Sequence, residues 1–200
     1  GDMKALASHL GTSMGPLISE FNASMSDLAI YGDEAADVFK RLKGASEATG
    51  ISVGTLISSM KEMDTISGAA QRAGELNAVL QGQFLDTHQL LNASYEERVL
   101  LVRKGIEDSG KEWKSMGRAE KQMVANAAGF TDMAEAAKFM SQSTSELEAA
   151  MNGAGNASGN FDMVRDAAAA AQSVQEKWKA TLAELAVLVE PLLAMLHGFC

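Results

Sequence analysis

Two serines stand in the G-x-S-x-G pattern that presents the nucleophile in many hydrolases. Ser13 lies at the centre of residues 11–15 and Ser52 at the centre of residues 50–54. The chemistry of this motif needs a strand entering the turn and a helix leaving it, so that the serine oxygen is exposed. Neither copy follows a strand pattern. Both are therefore predicted to be helix breaks with a hydroxyl cap and not catalytic serines.

The residues that could bind a metal or form a disulfide are few and far apart. His9, His88 and His197 lie in three separate segments, and none has another histidine or an acidic residue three or four positions away; Cys200 lies three positions after His197, which gives two ligands at most. Cys200 is the single cysteine. Metal sites in proteins gather several such ligands, and a disulfide needs two cysteines. We predict no metal site and no internal disulfide.

Paired acidic residues could support acid–base catalysis, but here they are sequence neighbours. Glu96 precedes Glu97, and Glu107 precedes Asp108. On a helix, adjacent side chains point about 100° apart and cannot share a substrate. We predict that both pairs lie on solvated faces. Since the chain also lacks a glycine-rich nucleotide-binding motif, we predict no cofactor and no enzymatic activity.

A locally basic stretch surrounds Trp113. Acidic residues interrupt it, which favours a mixed exposed face, with phosphate binding as the alternative. The stretch contains Lys111, Glu112, Lys114, Arg118, Glu120 and Lys121. The whole chain carries a net charge of −9 and should repel nucleic acid. We predict no specific nucleic-acid partner.

The composition predicts an all-α fold. Of the 200 residues, 46% are hydrophobic, only 6% are aromatic and two are prolines. Strand-rich domains need β-branched and aromatic residues to cover a pleated face, whereas long helices need few prolines. We expect a string of short packed helices.

Cap signals divide the chain into these helices. Pro16 suits the first turn of a helix, and S-x-x-E capping boxes begin at Ser94 and Ser143. Further N-terminal caps are expected at Asp33, Ser52 and Thr131. Glycine stops are expected at either Gly44 or Gly50, and at Gly82, Gly110 and Gly129.

The pattern changes after the helical body, which we place at residues 1–151. Residues 152–160 are rich in Gly, Asn and Ser and predict a flexible linker. Residues 161–200 predict a long amphipathic helix whose apolar positions alternate by three and four, as in a coiled coil. Its seam comprises Phe161, Val164, Ala168, Ala171, Gln175, Trp178, Leu182, Leu185, Val189, Leu192 and Leu196.

We interpret this seam as an oligomer interface between copies of the chain and expect a trimer. Only the apolar C-terminal end has a composition that allows membrane contact, although Glu184, Glu190 and Pro191 interrupt it. Both ends of the sequence resemble cuts within a longer helical protein, so we expect the C-terminal helix to be truncated.

Several runs within residues 21–140 resemble tail tape measure proteins of long-tailed bacteriophages. They are residues 67–80 (SGAAQRAGELNAVL), 90–98 (LLNASYEER), 109–116 (SGKEWKSM), 120–129 (EKQMVANAAG) and 131–136 (TDMAEA). The resemblance implies a long helical protein that occupies the tail lumen or tail tip, helps set tail length and leaves at DNA ejection.

The resemblance also implies partners and a location. The partners would be the tail tube and the baseplate hub or tail-tip proteins, and the location would be the virion. The chain departs from the family in length, because a tape measure should be far longer. The alternative is a soluble helical binding module or secreted helical effector that docks through its C-terminal coiled coil.

Overall fold

The computed structural model describes residues 14–156, which form helices joined by short loops and contain no strand. The helices are α1 (Met14–Leu28), α2 (Ala35–Thr49), α3 (Val53–Lys61), α4 (Ile66–Leu80), α5 (Thr87–Asn92), α6 (Tyr95–Asp108), α7 (Arg118–Ala127), α8 (Met133–Ser141) and α9 (Thr144–Asn156). Short 3₁₀ helices, Ala29–Glu34 and Glu62–Asp64, follow α1 and α3. The predicted all-α class and its packed short helices are confirmed for these residues.

Side-chain caps begin several of the helices as the sequence predicts. The Ser52 hydroxyl accepts the Thr55 N–H at 3.0 Å, and the Glu97 carboxylate accepts the Ser94 N–H at 2.9 Å. Glu146 closes the second capping box by accepting the Ser143 N–H at 2.8 Å. Each bond satisfies an N–H that would otherwise have no partner within the helix.

Two predicted caps are wrong. Asp33 lies within the first 3₁₀ helix, whose Gly32 has a φ of 55°, and α2 starts from this turn without a side-chain cap. Thr131 is displaced by its neighbour, because the Asp132 carboxylate accepts the Ala134 N–H at 2.6 Å and the Glu135 N–H at 3.1 Å. A carboxylate next to the first turn is also favoured by the helix dipole.

The glycine stops are mostly confirmed. Gly50 closes α2 in the left-handed conformation, with a φ of 69°, and its N–H donates to the Ser46 carbonyl. Gly110 and Gly129 also have positive φ. At the end of α4 the left-handed residue is Gln81, one position before the expected Gly82.

Helix α2 lies at the centre of the described helices. It packs against α1, α3, α6, α8 and α9. Phe39 is fully buried and meets the ring of Phe21 edge-on, with centroids 5.0 Å apart. Phe130 and Phe139 form a second aromatic pair with centroids 4.9 Å apart. The core is therefore built around one nearly enclosed helix.

The first part of the predicted linker is helical instead. Residues 152–156 continue α9, whose contact with α2 is the most extensive between any two described helices. Met151 and Ala154 are buried, and a Cβ on Gly44 of α2 would lie 2.9 Å from the Met151 Cα. This close packing explains why a Gly- and Asn-rich sequence remains helical. Residues 157–160 lie outside the described residues.

Candidate functional site

The residues predicted to form the oligomer interface, at positions 161–196, lie outside the described residues. The same holds for His9, Ser13, His197 and Cys200. The coiled-coil seam and its trimer therefore stay predictions.

The two remaining candidates for chemistry are not brought together. Ser52 follows helix α2 across a tight turn, and its hydroxyl caps α3, so the local structure differs from a strand–turn–helix elbow. His88 is exposed on α5, and the Asn92 side chain contacts its ring at 3.1 Å.

The main polar cluster of the described chain surrounds Arg98 of α6, which is 3% exposed. Its guanidinium donates to the carbonyls of Leu90 at 2.8 Å, Met60 at 3.2 Å and Leu91 at 3.2 Å. It also donates to Asp64 Oδ1 at 2.5 Å. These carbonyls lie in α3 and α5, so a single side chain joins three helices.

Two tyrosines complete this cluster. The Tyr95 hydroxyl donates to Asp64 Oδ2 at 2.8 Å, and the Tyr31 hydroxyl accepts the Tyr95 N–H at 3.0 Å. Burial raises the pKa of Tyr31 to about 12, and burial together with the Asp64 hydrogen bond raises that of Tyr95. Both hydroxyls therefore stay protonated at neutral pH. With every member engaged internally, the cluster positions helices and offers no reactive group.

Arg98 is not among the residues that the sequence predicted to be functional. Position 98 shares a helix face with Tyr95 and Val102, three and four residues away, and both are buried. This spacing could have predicted a buried, hydrogen-bonded Arg98, because a cation within an apolar stripe must find partners or leave the core.

The predicted solvated face of the first acidic pair is wrong for Glu96. This residue is 5% exposed, and its Oε2 has no hydrogen-bond partner. Burial raises the pKa of Glu96, while a Ser94 hydrogen bond and the charge of Arg41 oppose the rise. Helix α6 is sandwiched by neighbouring helices, so residues on either side of its main apolar stripe are also covered. Its neighbour Glu97 is exposed, as expected.

The second acidic pair is exposed, as predicted. Glu107 nevertheless binds the first turn of α9, where its Oε2 accepts the Thr144 N–H at 2.8 Å and the Thr144 hydroxyl at 2.6 Å. These bonds hold the pKa of Glu107 below its usual value. The carboxylate therefore has a structural role.

The basic stretch around Trp113 borders a cavity of about 540 Å³. Lys111 pairs with Glu120, and the Lys121 ammonium lies 5.8 Å from the Trp113 ring centroid. Glu107 and Glu112 line the same cavity as Lys111 and Lys114. The mixed charge of the face is confirmed, and these carboxylates weaken the case for phosphate.

A second cavity, of about 560 Å³, opens between α2, α5 and α6. Arg41 contributes the guanidinium of its wall, and Leu100 and Leu101 contribute apolar surface. His88, Gln89, Ala93, Asn92 and Glu97 complete the lining. We call this cavity the Arg41 groove. It combines an apolar surface with polar side chains, as ligand and peptide sites do.

Neither a metal site nor a membrane-spanning helix is found within residues 14–156. No three side chains among His, Cys, Asp and Glu converge there in a way that could hold a metal ion. None of the helices described is both long enough and apolar enough to cross a membrane.

Comparisons with known protein families, with characterised proteins and with solved structures find no match for this chain.

Proposed function

We propose that this chain is a segment of the tape measure protein of a long-tailed bacteriophage and acts as a structural component of the tail. The supporting observation is the resemblance within residues 21–140. The run at 67–80 covers almost all of α4, and the run at 90–98 includes the capping box that begins α6. The runs at 120–129 and 131–136 cover most of α7, its glycine stop and the start of α8.

The resemblance thus falls on most of α4 and α7 and on the starts and stops of neighbouring helices. Such features preserve a packed scaffold, whereas catalysis needs convergent reactive groups. The polar cluster around Arg98 is internally satisfied, which also fits a scaffold. The net charge of −9 suits a protein that must release DNA.

A native phage particle provides the test. An antibody against the purified chain should label tails and detect the parent protein in purified virions. An in-frame deletion of residues 21–140 should give particles without tails or with tails of altered length in electron micrographs. Deletion of the coding region of a non-structural protein controls for general effects on growth. Normal, infectious tails after the deletion of residues 21–140 would refute the assignment.

The Arg41 groove favours a second candidate, a soluble helical binding module. In that case the chain should co-purify with one partner protein and be missing from virions. The C-terminal docking region expected for this candidate lies outside the described residues.

A further inference from the structure

Asn152 and Gly153 form the single Asn–Gly step in the sequence. The other six asparagines precede alanine or phenylalanine. Asparagine loses its side-chain ammonia most readily before glycine, because glycine has no side chain to hinder its own nitrogen and adopts the widest range of backbone angles. The pair therefore has the chemistry of a modification site wherever the backbone can bend towards the side chain.

This deamidation needs no reactant other than water. The Gly153 nitrogen gives up its proton and bonds to the side-chain carbonyl carbon of Asn152. The amide C–N bond of that side chain breaks, and the leaving group takes up a proton and departs as ammonia. Water then opens the five-membered succinimide ring at one of its two carbonyls. The product is aspartate or isoaspartate, and in isoaspartate the main chain runs through the side-chain methylene.

Helix α9 holds both residues in a geometry that opposes ring closure. They lie within Thr144–Asn156 and are exposed to solvent. A succinimide forms only when the asparagine side chain and the next nitrogen are nearly eclipsed about the Cα–C bond, whereas helical ψ angles keep them apart. The N–H of a residue within a helix is also engaged by the carbonyl four residues earlier. Because water reaches the pair, its protection comes from the helix and not from burial.

Packing against α2 maintains this helix. Asparagine and glycine are poor helix formers, and their buried neighbours Met151 and Ala154 fix the segment. A Cβ on Gly44 of α2 would lie 2.9 Å from the Met151 Cα, so the two helices approach closely next to Asn152. The main contacts of α9 within the described chain are with α2 and α6. Such an element can open locally without unfolding of the whole body.

We propose that Asn152–Gly153 is a deamidation site that the docking of α9 on α2 keeps closed. Release of α9 from α2 removes the support for its helix and allows the ring to form. Isoaspartate adds a main-chain methylene beside the α2–α9 crossing, and both products add a negative charge near the C-terminal end of a helix, where the dipole disfavours it. The modified α9 cannot dock as before, so its release becomes irreversible. This site is independent of the tail assignment.

The rate of deamidation in the full 200-residue chain tests the protection. Mass spectrometry of a proteolytic peptide that contains residue 152 follows the loss of asparagine at neutral pH. We expect the native chain to deamidate at least about tenfold more slowly than the chain unfolded in urea, because only the open fraction reacts. Urea below the unfolding transition should raise the native rate. Equal rates in the native and unfolded chains would overturn the proposal.

Glycine variants test the role of α2 and the identity of the nucleophile. Gly44→Ala should accelerate deamidation of the folded chain, because its methyl group separates α9 from α2, whereas Gly74→Ala, with nothing within 4 Å of its added Cβ, should not. Gly153→Ala also adds its Cβ to open space and should slow the reaction in the unfolded chain. If Gly44→Ala does not fold, the urea dependence remains the test. An unchanged rate in folded Gly44→Ala would show that the contact with α2 does not control the site.

Refolding tests whether the release is irreversible. The chain is deamidated in urea, and the fraction with isoaspartate at residue 152 alone is purified and returned to native buffer. We expect a lower urea midpoint and less helix by circular dichroism than in unmodified chain treated in the same way. Asn152→Asp carries the charge without the extra methylene and should keep most of the midpoint. An unmodified midpoint in the isoaspartate fraction would contradict the irreversible step.

Discussion

At the scale of single residues, α6 contains two buried charged side chains, one with its hydrogen bonds made and one with an oxygen that lacks a hydrogen bond. Arg98 gives its hydrogen bonds to three carbonyls and a carboxylate, whereas Glu96 leaves Oε2 without a partner. Removal of a satisfied buried charge lowers the free energy of unfolding, because its partners lose their hydrogen bonds. An unsatisfied buried charge already lowers it in the unmodified chain. Substitution of the two residues should therefore change stability in opposite directions.

We expect Glu96→Gln to raise the free energy of unfolding at pH 7 by about 1 kcal/mol, since glutamine avoids a buried charge. Burial raises the pKa of Glu96, so the folded chain binds this proton more tightly than the unfolded chain. As pH falls through the raised pKa towards the unfolded value, the unmodified chain therefore gains stability that the variant cannot gain. The advantage of Glu96→Gln should therefore shrink as the pH falls from neutral towards 4.5, the usual pKa of a glutamate.

Urea unfolding across this pH range measures the effect. Glu97→Gln is the matched control, because it removes the same charge from an exposed neighbour whose carboxylate caps α6. It should lose a few tenths to about 1 kcal/mol through the weakened capping box. A loss of stability for Glu96→Gln at pH 7 would show that the carboxylate is well satisfied.

We expect Arg98→Met to lower the free energy of unfolding by about 3 kcal/mol, because Asp64 and three carbonyls lose their donor. Arg118→Met, at an exposed site on α7, should stay within about 0.5 kcal/mol. Urea denaturation of the three proteins tests this, with Arg98→Lys as a milder variant if Arg98→Met does not fold. Equal stability of the Arg98 and Arg118 variants would contradict the described cluster.

At the scale of helices, the sequence predicts starts and stops better than it predicts burial. Ser52, Ser94 and Ser143 cap helices as expected, because a cap depends on residues within one turn of it. Asn152 is helical despite its linker-like surroundings, since α9 packs on a helix more than 100 residues earlier in the chain. Local patterns omit such distant contacts, which also bury Glu96 and bring Arg98 to Asp64.

The α2–α9 crossing depends on the missing side chain of Gly44. A Cβ there would lie 2.9 Å from the Met151 Cα and still closer to the Ala150 carbonyl oxygen. We expect Gly44→Ala to lower the free energy of unfolding by about 1–3 kcal/mol, as overpacking does. Gly74→Ala is the matched control, because nothing lies within 4 Å of its added Cβ.

Thermal and urea unfolding compare the two glycine variants. Alanine favours a helix more than glycine does, so Gly74→Ala should gain about 0.5–1 kcal/mol. A similar gain for Gly44→Ala would show that α9 does not approach α2 as closely as described.

At the scale of the whole molecule, a packed helical body is joined in sequence to a predicted coiled-coil seam. The composition is sufficient to predict the helical class, and the seam follows from spacing alone. The Arg41 groove could not be predicted in this way, because its wall combines residue 41 with residues 88–101. Only tertiary packing of α2 against α5 and α6 creates it.

The seam predicts self-association. We expect the 200-residue chain to sediment as a trimer and the double variant Leu182→Asp, Leu185→Asp to sediment as a monomer, because buried charges would disrupt the interface. Sedimentation equilibrium measures both masses, and Asp substitutions at two exposed body residues, Ala70 and Ala134, provide the control. A monomeric unmodified chain, or a double variant with unchanged mass, would exclude this interface.

If the chain is part of a tape measure, its folded body should add little to tail length. Duplication of residues 14–156 adds about 140 residues, which would extend a tail by about 210 Å as one continuous helix. As a packed body of the same size it would add only about 40 Å. We expect electron micrographs of phage carrying the duplication to show the smaller increase. An increase near 210 Å would mean that these helices unpack into a rod during assembly, and unchanged length would separate this segment from length control.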